Sequence, residues 1–322
     1  MDNYIQQKFG TFKVCGKPIL PVAELLNNIP NIMDQIDPLL KLRLQSYVRT
    51  DNFEPQFNYI CSEYGMKDCA ELENPISPHI NLHENFCGMF WAFCYFVLYT
   101  YDELYAKQKC KKDFNGQLVF DKKNDFDALK LWLYGKDLQK EYPFLPTEYR
   151  YWPSSLPHPY IKEDFICTKA NGLFTYGVTF ILLHEMGHLI KRHFKRMRSH
   201  EITRLQAEQE ADLFAIHEIS PVFYKKNQET INNGAILAFA LLCIKNHMAN
   251  KKYPLPEDRI TIALQYMNLK DEDITWMIAA YGLVIWFADI AKFQFPTPIY
   301  FNTPKDFYYN VLSLFKIVVG RP

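Results

Sequence analysis

The chain of 322 residues is 48% hydrophobic, enough apolar side chain for a large core, and it sets 36 Lys and Arg against 36 Asp and Glu. A formal charge of zero lacks the basic excess that neutralises nucleic-acid phosphates or clings to anionic lipid, so no nucleic-acid partner is expected. Eight scattered cysteines form no C-x-x-C pair and the first residues do not resemble a signal peptide, so a reducing, cytoplasmic location is expected.

In chain order, the first predicted elements are helices around the aromatic run 86–105. A hairpin follows, in which Asn115 and Gly116 supply the positive φ of a tight turn before a strand at 117–120. A helix is predicted over 125–138. Between 143 and 159 lie five prolines, Pro143, Pro146, Pro153, Pro157 and Pro159, which remove backbone donors and favour extended geometry. They predict a connector (143–159) between a mostly helical N-terminal region (1–142) and a second domain (160–322). Helices are then predicted near 175–198, 203–219, 234–244, 259–267 and 276–293. A Pro-punctuated loop spans 295–304, and a last helix runs to about 319. The apolar runs 86–101 and 276–288 fall short of the roughly 20 residues a bilayer crossing needs, so both read as core helices and membrane association is not expected. The fold class expected is α+β, predominantly helical.

His184-Glu185-Met186-Gly187-His188 is the informative motif. Four residues on a helix return to within about 40° of the start, so His184 and His188 stack on one face where both imidazoles can bind one metal ion. Glu185 projects from the flank, within reach of a water activated by that ion. With only nine His in the chain, a chance H-E-x-x-H has a probability of roughly 1%. The surrounding helix is apolar nearly all round, as a buried helix is. An unpaired carboxylate there would cost several kcal/mol, and a zinc ion compensates it.

A third ligand is expected on the next helix, where Glu208, Glu210 and Asp212 compete. Glu208 shares a helical face with Leu205, Ala211, Asp212 and Ala215, the small, apolar side suited to packing on the motif helix. Glu208 is therefore the predicted ligand, and Asp212, one turn on, is placed to accept the free N–H of a ligating histidine. Glu210, about 200° round from Glu208, reads as a solvated carboxylate whose removal should change stability by less than about 0.5 kcal/mol.

H-E-x-x-H followed by E-x-x-A-D resembles the gluzincin peptidases, with their zincin-like core. The resemblance implies His184, His188 and Glu208 as zinc ligands, Glu185 as general base and Asp212 as the partner of a ligating histidine. Phe180-Ile181-Leu182-Leu183 before the motif, His193 five residues after it, and E-x-E-A-D-L-F-A are similar to the Lit phage-exclusion group, peptidase family U49, and secondly to the ImmA/IrrE regulators. The firm part covers 171–219. The Lit resemblance implies a latent cytosolic protease that cleaves a translation elongation factor after a phage signal. The histidine expected at position 194 of a metzincin is here Phe194.

An oxyanion or substrate donor is sought downstream, at His247, Tyr253 or Arg259. His79 and His83 read as the start of a helix, His193 and His217 as outside the site, and the basic run Lys191, Arg192, Lys195, Arg196 and Arg198 as an offset to the helix dipole. Docking of an acidic partner is the alternative for that run. The reading is a cytoplasmic zinc endopeptidase with one Zn2+ per chain, acting on an intracellular protein substrate, with an activating protein or peptide as partner. The alternatives are a non-peptide zinc amidohydrolase and a non-catalytic zinc-stabilised interaction protein whose fourth coordination position is closed by a Cys or by His193.

Overall fold

The computed structural model describes residues 13–29, 56–61, 70–73, 79–107, 123–138, 151–161, 164–219, 227–245, 255–287 and 301–320. The predicted 115–120 hairpin, Pro143 and Pro146, His247 and Tyr253 lie outside the described residues.

The fold is α+β and predominantly helical. Ahead of the aromatic run stands a four-stranded sheet, ordered β1-β2-β4-β3, made of β1 (Lys13–Cys15), β2 (Gln56–Ile60), β3 (Ala70–Glu73) and β4 (His79–His83). Its β1–β2 and β2–β4 pairs are parallel and β3–β4 is antiparallel. Sequence reading missed this sheet because its strands are three to five residues long, too short to display a period. His79 and His83, read as a helix start, belong to β4, which pairs with β2 along its length and passes directly into helix α1 (Glu84–Tyr99). Glu84, buried at that junction, accepts the backbone N–H groups of Ile19 and Leu20 at 2.8 and 2.9 Å.

Helix α1 continues into a π-helical stretch, Thr100–Ala106, and packs against α2 (Lys123–Asp137) through Phe93, Phe96 and Trp132. Helix α3 (Phe165–Ile190) starts ten residues earlier than predicted. Asp164 caps it, its carboxylate accepting from the Cys167 amide at 3.0 Å. Among the described residues α3 alone is long and apolar enough to cross a membrane, and 78% of its apolar window is buried inside the protein. It is the central core helix, lying against α1, α5 (Arg204–Ile219) and α6 (Gln228–Lys245). Fully burying side chains such as Leu183 and Met186 is worth about 1.5–3 kcal/mol each. Trp91 of α1 donates to Asn171 of α3 at 2.7 Å, and the Asn171 amide donates in turn to the Pro159 carbonyl at 2.8 Å.

Helix α3 ends where Arg192 adopts a left-handed conformation (φ 56°), an uncommon one for a side chain of that size. The turn separates it from the short helix α4 (His193–Arg198), where a single helix over 175–198 was predicted. Helices α7 (Pro256–Tyr266), α8 (Ile274–Trp286) and α9 (Pro304–Val318) complete the described helical layer. The start of α9 is set by a capping box between Thr303 and Asp306, with Pro304 at the first helical position.

Candidate metal centre

Two helices build the site. Helix α3 contributes His184, Glu185 and His188, and α5 contributes Glu208, Glu210 and Asp212. They approach closely because Gly187 and Ala211 face each other: a β-carbon at Gly187 would lie 3.2 Å from the Ala211 α-carbon. Ala211, Asp212 and Ala215 are buried as expected, whereas Leu205, placed on the same face by the helical wheel, is exposed in the first turn.

His184 Nε2 and His188 Nε2 stand 3.1 Å apart. The Glu208 carboxylate lies 3.5 Å from the first and 3.8 Å from the second. All three side chains are buried, and together they form a group that could hold a metal ion. An ion about 2.0–2.1 Å from each donor needs neighbouring donors about 3.3 Å apart; the two histidine nitrogens are near that value, and Glu208 turns one oxygen toward each histidine, Oε2 to His184 and Oε1 to His188, with one ligand atom from each residue within 4.8 Å of the others. The residues present therefore fit a divalent ion. Glu185 follows His184 on α3 and is partly exposed, and its carboxylate is close enough to act on the His184 charge.

Behind His184, its Nδ1 lies 2.9 Å from Asp212 Oδ1. Asp212 is held by Arg259, whose Nε and Nη2 donate to its two oxygens at 2.7 Å each. Arg259 was sought as an oxyanion or substrate donor; the structure places it on α7 with its guanidinium directed at Asp212, 9% exposed. Burial alone would raise the Asp212 carboxyl, but the charges of Arg259 and His184 hold it below the usual range. For Glu208, burial is likewise outweighed by its contacts with His184 and His188. Burial would lower His184, yet the carboxylates of Asp212 and Glu208 push it up to about 10, while burial and the neighbouring His184 drive His188 down to about 3. The pocket thus favours positive charge between its carboxylates.

His193 and Glu210 require correction. His193, set aside from the site, is fully buried with Nδ1 2.9 Å from His188 Nδ1 and Nε2 3.2 Å from Glu210 Oε2. Glu210, read as solvated, also takes two hydrogen bonds from Arg196, at 2.6 and 3.1 Å. The wheel argument put the right side of α5 toward the motif helix. It could not anticipate that the turn at Arg192 folds α4 over the opposite side. Arg196, counted in the dipole-offsetting run, is instead Glu210's ion-pair partner. The signal that could have found this trio is the i, i+3 spacing of His193 and Arg196, which presents both to one acceptor. His217 lies outside the site, its side chain 81% exposed.

No curated protein and no solved structure matches the chain significantly. The family model described as Peptidase U49 matches residues 80–279. That span takes in both site helices, the core helix α1 and Arg259, well over half of the sequence, and with it the chain belongs to the peptidase U49 family.

Proposed function

We propose that this peptidase is zinc-dependent and cleaves a peptide bond within an intracellular protein. The observation that carries the reading is the convergence of His184 Nε2, His188 Nε2 and the Glu208 carboxylate within reach of a single ion. Nitrogen, nitrogen and carboxylate oxygen are a catalytic zinc donor set, in which three protein ligands leave one position open. His193 faces the opposite ring nitrogen of His188, so it does not close that position.

Zinc bound there supplies Lewis acidity, activating water and polarising the scissile carbonyl. The carboxylate of Glu185 takes the proton released from the attacking water and delivers it to the departing amine nitrogen. Asp212, clamped by Arg259, orients the ring of His184 so that Nε2 faces the site. The similarity to the Lit group supports a further element: the isolated enzyme is latent, and a protein or peptide partner, or a signal carried by the substrate, switches it on.

The test is Glu185→Gln. The variant should keep its metal and its fold and lose nearly all cleavage in a host-lysate comparison run with and without chelator. Cleavage at the wild-type rate would overturn the reading and favour a structural metal site.

A further inference from the structure

The two histidines of the motif are supported differently. His184 meets a carboxylate directly, whereas His188 meets a second imidazole, and only beyond that a carboxylate. We propose that His193 is a positioning residue that fixes the tautomer and orientation of His188, with Glu210 and Arg196 anchoring it from behind.

The hydrogen positions follow from the geometry. His188 Nε2 faces His184 Nε2 and Glu208, so it must present its lone pair to a cation held among them. Its hydrogen is then on Nδ1, which donates to His193 Nδ1 across 2.9 Å. An imidazole accepting at Nδ1 carries its own hydrogen on Nε2, and that nitrogen lies 3.2 Å from Glu210 Oε2, which accepts. Each ring nitrogen has one role. Arg196 holds both oxygens of Glu210 from the outer side, which sets where the chain of bonds ends.

The backbone is shaped for the arrangement. The left-handed Arg192 turns the chain immediately after α3, so that His193, the first residue of α4, comes back against His188 with ring centroids 5.0 Å apart. A direct carboxylate on each histidine would concentrate negative charge on both. The intervening neutral imidazole gives His188 an acceptor without a full charge in contact, making the two metal-facing nitrogens unequal in basicity.

The proposal rests on the zinc reading of His188, and the following measurements separate the two. Ring-nitrogen NMR of the metal-free and zinc-loaded protein is combined with zinc affinity by chelator competition, for wild type, His193→Phe, His193→Gln and Glu210→Gln. In wild type, His193 should be protonated at Nε2 and His188 at Nδ1, in the metal-free protein as well. His193→Phe, which keeps bulk but removes the acceptor, should weaken zinc about 10- to 100-fold and shift the His188 tautomer. His193→Gln, which can accept from His188 and donate to Glu210, should recover part of both. Zinc affinity within twofold of wild type in His193→Phe, or a hydrogen on His193 Nδ1, would overturn the proposal. So would direct coupling between a bound 113Cd ion and His193, which would make it a ligand. If His193→Phe does not fold, Glu210→Gln at the half-exposed outer end decides: a weaker zinc affinity with a shifted His193 Nε2 resonance supports the relay, and no change in either overturns it. If wild type binds no zinc, the zinc reading fails while the tautomers of the metal-free protein still decide the relay.

Discussion

Gly187 and Ala211 meet at the crossing of the motif helix and the helix that carries Glu208, with only 3.2 Å between the Ala211 α-carbon and the place a β-carbon would occupy on Gly187. A β-carbon there would also lie 3.1 Å from Phe214 Cδ1 and 3.4 Å from the Ala211 carbonyl oxygen, so a methyl group at position 187 presses on the backbone of the second helix as well as on a side chain. Gly187→Ala should therefore push the helices apart, lower zinc affinity at least tenfold and reduce thermal stability. Gly172→Ala, on the same helix with only the Thr230 methyl near its β-carbon, should leave zinc affinity unchanged. Chelator competition on the two variants checks this; equal affinities would mean the site tolerates a wider crossing.

Zinc-replete expression should yield one zinc per chain by metal analysis, since three protein ligands on two packed helices form a high-affinity site. Glu208→Ala should lose zinc by orders of magnitude. Asp212→Ala should weaken it about 10- to 100-fold and also cost about 3–5 kcal/mol of stability, because it removes the carboxylate that accepts both hydrogen bonds from the buried Arg259 guanidinium. A combined Asp212→Ala, Arg259→Met variant should regain part of that stability and none of the zinc affinity. Less than about half an equivalent of metal in wild type would count against the whole series.

Glu84 gives a pH dependence away from the candidate metal centre. Burial raises its carboxyl above the usual range, against the opposing hydrogen bonds from the Leu20 and Ile19 amides. The folded chain therefore holds a proton on Glu84 at pH values where the unfolded chain has released it. Stability falls as pH rises through the window between the ordinary carboxylate range and the raised folded value. Glu84→Gln, whose amide oxygen still accepts from Ile19 and Leu20, should remove that slope. Urea denaturation of both proteins across the acidic to neutral range reads it, and parallel curves would refute the account.

Latency predicts that the purified protein is nearly silent toward unstructured casein and becomes active only with its partner or its own substrate, specificity then residing in docking surface outside the motif. Rapid casein cleavage by the protein alone would sink that element while leaving the peptidase itself untouched.

The sequence alone was sufficient wherever a local period or a short motif carries the information. H-E-x-x-H stacks His184 on His188 by helix geometry. The two-residue offset between Glu208 and Glu210 sends them to opposite sides of α5, and the alternation of small and apolar residues identifies which side packs. Long-range closure decided the remainder. The strands of the sheet show no period at three to five residues each, and their pairing joins positions up to 45 residues apart, Lys13 with Asn58. Arg259 and Asp212 are 47 residues apart, and only the packing of α7 on α5 turns one into the other's clamp. His193 and Glu210 look like surface residues until the left-handed turn at Arg192 brings α4 across α5. A helical wheel ranks the faces of one helix against the nearest known neighbour; what covers the far face is settled by a backbone turn whose direction no side-chain pattern encodes.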